Sequence, residues 1–281
     1  MGKRILVPVD FSVQSENALK TAVFYHKTYG YDIVVVHMLE MSNSLVTRKS
    51  LSAKETVFYL KYAEQQFNDF LDKEYLEDVE LTTIIKNNKV FSELNDLCSE
   101  EKIDLIIMGS KGASGLSEVF VGSNTQKVIR HSDVPVLVVK DKAIPNGFKK
   151  AIFACDFSEE SIGPYIRIKR FCDFLNLDVK MVYINTPTKS FKTSTEMREK
   201  VKDFFKKAHN DPSLYEKVHY MSDYSIEKGI INYANIYDED LIIMATHGRK
   251  GFANLFDHSI TEDVANHTET PLISFKIRPK N

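Results

Sequence analysis

The stretch ILVPVDFS at residues 5–12 decides the fold, because the chain carries it twice. It recurs as IFACDFSE at 152–159, with the Asp-Phe-Ser triplet displaced by 146 residues. DIVVVHML at 32–39 recurs as DVKMVYIN at 178–185 with the same offset. DLIIMGSKGASG at 104–115 recurs as DLIIMATHGRKG at 240–251, and VPVLVVK at 134–140 recurs as TPLISFK at 270–276, both offset by 136. A repeat of roughly 140 residues is a whole domain, not a solenoid unit of ~20–50 residues.

Each copy alternates strand and helix. Residues 4–9 form a continuous apolar run, as in a strand buried on both faces. Residues 13–28 put Ala18, Leu19, Ala22, Val23 and His26 on one helical stripe, with Ser12 or Ser15 as N-cap. Strands are predicted at 32–38, 79–86, 104–108 and 134–139, and helices at 53–74, 91–101 and 123–131. The second copy predicts strands near 150–155, 178–184, 216–221, 240–244 and 271–277. This alternation predicts an α/β fold of two tandem doubly wound domains, each with a five-stranded parallel sheet in flavodoxin-like order. The expected domains are 1–140 and 150–281, joined by the linker DKAIPNGFK at 141–149.

Composition narrows the function. Of 281 residues, 43% are hydrophobic and 27% charged, which excludes wholesale disorder. Lysine and arginine total 37 against 39 acidic residues, so the chain has no global drive toward nucleic acid or an anionic membrane. No apolar run approaches the ~20 residues of a membrane helix. Three cysteines (Cys98, Cys155, Cys172) without metal spacing fit a reducing, cytoplasmic location.

Open α/β sheets bind ligands outside the carboxyl ends of their strands. Asp10 follows the first strand, Met38 ends the second, and the glycine-rich loop from Gly109 follows the fourth. Glycine lets a phosphate approach the main chain, and a helix start offers unpaired N–H donors. Gly109, Gly112, Gly122 and Ser123 therefore suit a phosphate cradle, with Asp10 accepting from an adenine amine or a ribose hydroxyl. The structural alternatives are plain turns for the glycines, an N-cap for Ser123 and a helix cap for Asp10. There is no GxxxxGK[ST], no glycine in the first strand–helix turn and no GxSxG elbow. These absences exclude the Walker, dinucleotide and α/β-hydrolase readings. The candidate central strands end in Met38 and Gly109, not in the aspartate a phosphoryl receiver needs.

The pattern Gly109-x2-Gly112-x9-Gly122-Ser123 resembles the ATP-binding signature of the universal stress protein family. The opening ILVPVDFS, the VVHM strand and the closing VPVLVV resemble that family too, in two tandem copies. The resemblance implies adenosine held at Asp10 and Met38, and phosphates at Gly109, Gly112, Gly122 and Ser123, with a main-chain N–H at Asn124. The implied ligand is ATP, or AMP or ADP, with Mg accompanying ATP. Met38 stands where a small aliphatic residue is usual.

The second copy keeps Asp156, Gly248 and Ser259, but has Ala245 and His258 in place of two glycines, with Ile184 at the adenine wall. Copy one is therefore expected to bind ATP, and copy two not to bind it or to bind something else. His247, Asp257 and His258 match no standard zinc pattern. The implied protein is a cytoplasmic stress-response binding or signalling module without a dedicated catalytic base. The closing strands are expected to pair, and two chains to form a homodimer, with no nucleic-acid or membrane partner. The rival readings are a slow ATP-hydrolysing enzyme and a nucleotide-free interaction scaffold.

Overall fold

The computed structural model describes residues 3–38, 53–86, 94–110, 121–188, 190–246 and 260–277. Contacts divide the chain into two compact units. One comprises residues 1–116 and 139–147, the other 117–138 and 148–281.

The first unit is a parallel sheet in the order β3-β2-β1-β4. Its strands are β1 (Lys3–Val9), β2 (Tyr31–Met38), β3 (Leu81–Lys86) and β4 (Leu105–Gly109). Ile5, Leu6 and Val7 of β1 are fully buried, which the apolar run demands of a strand with neighbours on both sides. β1 pairs with β2 from Lys3 to Val9, but with β4 only at Ile5 and Leu6. Pro8, which has no N–H to donate, sits beyond the β4 pairing. Helix α1 (Val13–Tyr29) is capped by the Ser12 hydroxyl, which accepts from the Ser15 N–H at 3.2 Å. It ends at Gly30, whose φ of 71° is the left-handed conformation glycine tolerates. Helices α2 (Ala53–Leu71) and α3 (Leu94–Glu100) complete the unit, burying Ala63, Phe67 and Phe70, and Leu94, Leu97 and Cys98.

The second unit has the order β5-β10-β9-β6-β7-β8. Its strands are β5 (Val136–Val139), β6 (Lys150–Ala154), β7 (Asp178–Asn185), β8 (Val218–Ser222), β9 (Leu241–Thr246) and β10 (Leu272–Lys276). β6 to β10 are parallel. Helices α5 (Ile162–Leu175), α6 (Ser194–His209) and α7 (Ile226–Ile236) belong to the second repeat. Thr193 and Glu196 form a reciprocal capping box at the start of α6. Phe157, Tyr165, Phe204 and Phe205 make one aromatic core, with ring centroids 5.2–6.1 Å apart.

The closing strands of the two repeats are antiparallel neighbours in this unit. Leu272, Ile273 and Ser274 face Val138, Leu137 and Val136. Leu137 and Ile273 are equivalent under the 136-residue offset, so the pairing is self-complementary about them, as in a two-fold interface. The last helices, α4 (Ser123–His131) and α8 (Ile260–His267), meet in the same unit. The Arg130 guanidinium makes a two-pronged bridge to Glu262, with Nε to Oε1 at 2.7 Å. Lys276 bonds Asp133 at 2.7 Å.

The Glu262 side chain is only 5% exposed, and that of Arg130 is 36% exposed. Arg130→Ala leaves that carboxylate without its cation. It is expected to lower unfolding free energy by about 2 kcal/mol, below the cost of breaking a fully buried pair because Arg130 is partly in water. Urea denaturation checks this, and adding Glu262→Gln should recover part of the loss.

Candidate functional site

In the first unit the strand order reverses between β1 and β4, which is where a doubly wound sheet opens a crevice. Asp10 leaves β1 there, and Gly109 is the last residue of β4. The turn is built by Asp10-Phe11-Ser12. Phe11 has φ of 66°, a left-handed conformation that costs a non-glycine residue about 1–2 kcal/mol. The exposed Asp10 carboxylate accepts from the Ser12 N–H at 3.1 Å and the Ser12 hydroxyl at 2.6 Å. Asp10 therefore orders the capping serine and is not itself the cap.

The half-buried His37 of β2 donates through Nδ1 to the Val9 carbonyl at 2.8 Å. Its ring stacks on Phe11 at 4.2 Å, and Phe11 also meets Phe67 and Phe70. These contacts give His37 a structural, hydrogen-bonding role. Met38, half-buried, ends β2 opposite Lys86.

Gly109 has a packing reason of its own. A Cβ there would lie 2.8 Å from the backbone of Gln14 in the first turn of α1. Its glycine is thus required by the close approach of the helix, whatever else passes by. Gly112, with Lys111, lies outside the described residues.

Gly122, Ser123 and Asn124 belong to the second unit. Gly122 is the N-cap of α4 and supplies no side-chain cap, while Ser123 and Asn124 are exposed in the first turn. The N-cap reading of Ser123 is thereby corrected: its hydroxyl stands one position inside the helix. Just before the cap, the Val121 N–H donates to Asn266 Oδ1 at 3.2 Å, and Gln126 Nε2 donates to the same oxygen at 3.2 Å. Sequence reading missed Asn266 and Gln126. Their pairing depends on which helices meet, and no spacing along the chain announces it.

The second repeat builds the same turn. Phe157 has φ of 53°, and Asp156 accepts from the Ser158 N–H at 3.0 Å and the Ser161 hydroxyl at 2.6 Å. Burial presses the Asp156 pKa upward. The Ser161 hydroxyl, the Ser158 donors and Lys200 outweigh it and hold the carboxyl below the ordinary aspartate range. A short 3-10 turn, Glu159–Ser161, precedes α5, and Ala245 stands in β9 where the first repeat has Gly109. Ile184 is tucked against Gly229, where a Cβ would come within 2.5 Å of its Cγ2. Cys155 is buried, and burial pushes its thiol pKa well up. His247, Gly248, Asp257, His258 and Ser259 lie outside the described residues.

The model of the universal stress protein family matches residues 1–140 and 174–276. The chain belongs to the universal stress protein family. A universal stress protein of Methanocaldococcus jannaschii is 33% identical over 157 residues, covering 50% of this chain and 97% of that protein. Universal stress protein G of Shigella flexneri is 31% identical over 144 residues, covering 50% of this chain and all of that protein, 100%. Each of these two relatives is thus matched over half of the chain. The crystal structure of a universal stress protein from Archaeoglobus fulgidus matches with a TM-score of 0.70 at 18% identity, covering 98% of this chain and 96% of that one. That likeness shows the shared α/β fold.

Two outcomes follow from the turn geometry. Gly109→Ala is expected to destabilise the chain by about 1–3 kcal/mol, because Gln14 meets it with backbone atoms that cannot rotate away; thermal denaturation reads it. The Asp156 carboxyl should titrate below the ordinary aspartate range. Its contribution to stability is complete above the unfolded pKa and is lost as pH falls through the lower folded one. An NMR pH titration should show that midpoint rising in Ser161→Ala.

Proposed function

We propose that this universal stress protein binds an adenine nucleotide through its first repeat. Asp10 and Met38 receive the adenosine, and Gly109, Gly112, Gly122, Ser123 and Asn124 hold the phosphates. The ligand is ATP or a related adenine nucleotide, AMP or ADP, and Mg accompanies ATP. The observation that carries this reading is the unbroken Gly109-x2-Gly112-x9-Gly122-Ser123 spacing in a member of this family.

Two features support the fit. Asp10 presents a carboxylate at the point where the sheet order reverses. Helix α4 starts at a glycine with no side-chain cap, which suits donation from its first turn to an anion. The packing duty of Gly109 favours the rival reading of a nucleotide-free scaffold, so the experiment must separate the two.

In this proposal residues 1–140 are the binding domain, 141–149 the linker, and 150–281 a domain that does not bind ATP. Occupancy shifts a conformational or assembly equilibrium, by no more than the difference in affinity between its two states. The protein works in the cytoplasm as a homodimer. No helix among the described residues is long and apolar enough to cross a membrane.

The test is the nucleotide content of protein purified without added ligand, followed by ATP titration. The expected result is about one ATP per chain, its phosphates at the helix N-terminus of the single intact signature, and its loss in Gly122→His, which copies the second repeat. Two nucleotides per chain would overturn the asymmetry. An empty protein that ATP titration fails to fill would overturn binding and leave the scaffold.

A further inference from the structure

The Asn266 carboxamide oxygen stands one step from the peptide that leads into α4, holding the Gln126 amide that bonds that peptide's carbonyl. It accepts from the Val121 N–H at 3.2 Å and from Gln126 Nε2 at 3.2 Å. Gln126 Nε2 also donates to the Val121 carbonyl at 3.1 Å. Both polar groups of Val121 are therefore held by one side-chain pair, and the Val121 side chain is itself buried. The peptide joining Val121 to Gly122 is planar and trans, so its carbonyl and the Gly122 N–H point in opposite directions. Fixing the carbonyl aims that N–H.

We propose that Asn266, a residue of the second repeat, is a positioning residue for phosphate recognition at Gly122 and Ser123 of the first repeat's signature. The inference rests on the nucleotide reading above. It gives the second repeat, whose own signature is broken, a part in the ligand affinity of the first.

The repeat offset supplies an independent support. Under the 136-residue offset Gln126 corresponds to Glu262, and Arg130 to Asn266. A symmetric pair would show the same contact twice. The chain instead has an amide pair, Gln126 with Asn266, and an ion pair, Glu262 with Arg130. A guanidinium has donors only and can accept no N–H bond. So at this position of the two helices the accepting oxygen stands on the second repeat's residue, Asn266, and not on Arg130. It falls beside the copy that keeps its glycine at position 122. The asymmetry of the helper matches the asymmetry of the signature.

The test uses the full chain with Asn266→Ala and Asn266→Asp, titrated with ATP and with adenosine. Hydrogen exchange is followed over residues 121–125. Asn266→Ala is expected to weaken ATP about tenfold, the equivalent of one net hydrogen bond, and adenosine by less than about twofold. Exchange at the Val121 amide should rise in Asn266→Ala and stay at the wild-type rate in Asn266→Asp, which keeps an accepting oxygen. An unchanged ratio of ATP to adenosine affinity overturns the inference, whether both fall together or neither moves. Equal exchange in the two variants also overturns it. Wild-type chain that binds neither ligand overturns the nucleotide reading itself, a result distinct from the others.

Discussion

The hydrogen-bonded ladder around β1 is the constraint on which the first unit rests. β1 is paired with β2 along its whole length and with β4 at Ile5 and Leu6, and its side chains are buried there. A strand so enclosed can leave the sheet only at its end. The chain must turn within one or two residues before α1 packs back, and a left-handed Phe11 performs that turn. The strain is offset by contacts of the Phe11 ring with His37, Phe67 and Phe70. Once the turn is fixed, Asp10 has nowhere to stand but the mouth of the strand. The same logic recurs at Phe157 against Tyr183, Phe204 and Phe205.

Most of the architecture was legible because parallel strands are nearly all apolar and repeat faithfully here. Strand positions such as 4–9 and 178–184 were read to within a residue or so. The errors sit at the ends of elements. β5 begins at Val136 rather than 134, because Ser132 ties up both the N–H and the carbonyl of Val134 in a local turn. β8 begins at Val218 because Pro212–Lys217 forms a 3-10 turn capped by Asp211. Side-chain hydrogen bonds of this reach compete with the ladder and leave little trace in hydrophobic periodicity.

The candidate site was legible in its residue types and less so in their duties. The aspartate in both DLIIM motifs illustrates the gap. Asp104 accepts from the Arg4 N–H, and Asp240 from the Lys149 and Lys150 N–H groups, each at 2.9 Å. Repetition there reflects a need to satisfy the backbone of the adjoining strand. Gly109 shows the same mixture, since Gln14 demands a glycine without reference to any ligand. Asn266 could not be singled out, because its role arises from two helices meeting across more than a hundred residues of chain.

The pairing of β5 with β10 carries a consequence for synthesis. β5 is complete at Val139, but its neighbour begins only at Leu272. At about 5–20 residues per second, translation leaves on the order of ten seconds between them. For that interval the nascent chain holds an apolar VLVV strand without its antiparallel neighbour. Pro135 before it and Lys140 after it are residues that discourage pairing with strangers. The order in which the ribosome delivers the two repeats thus makes the first the waiting partner, and places the burden of solubility on the residues that flank its last strand.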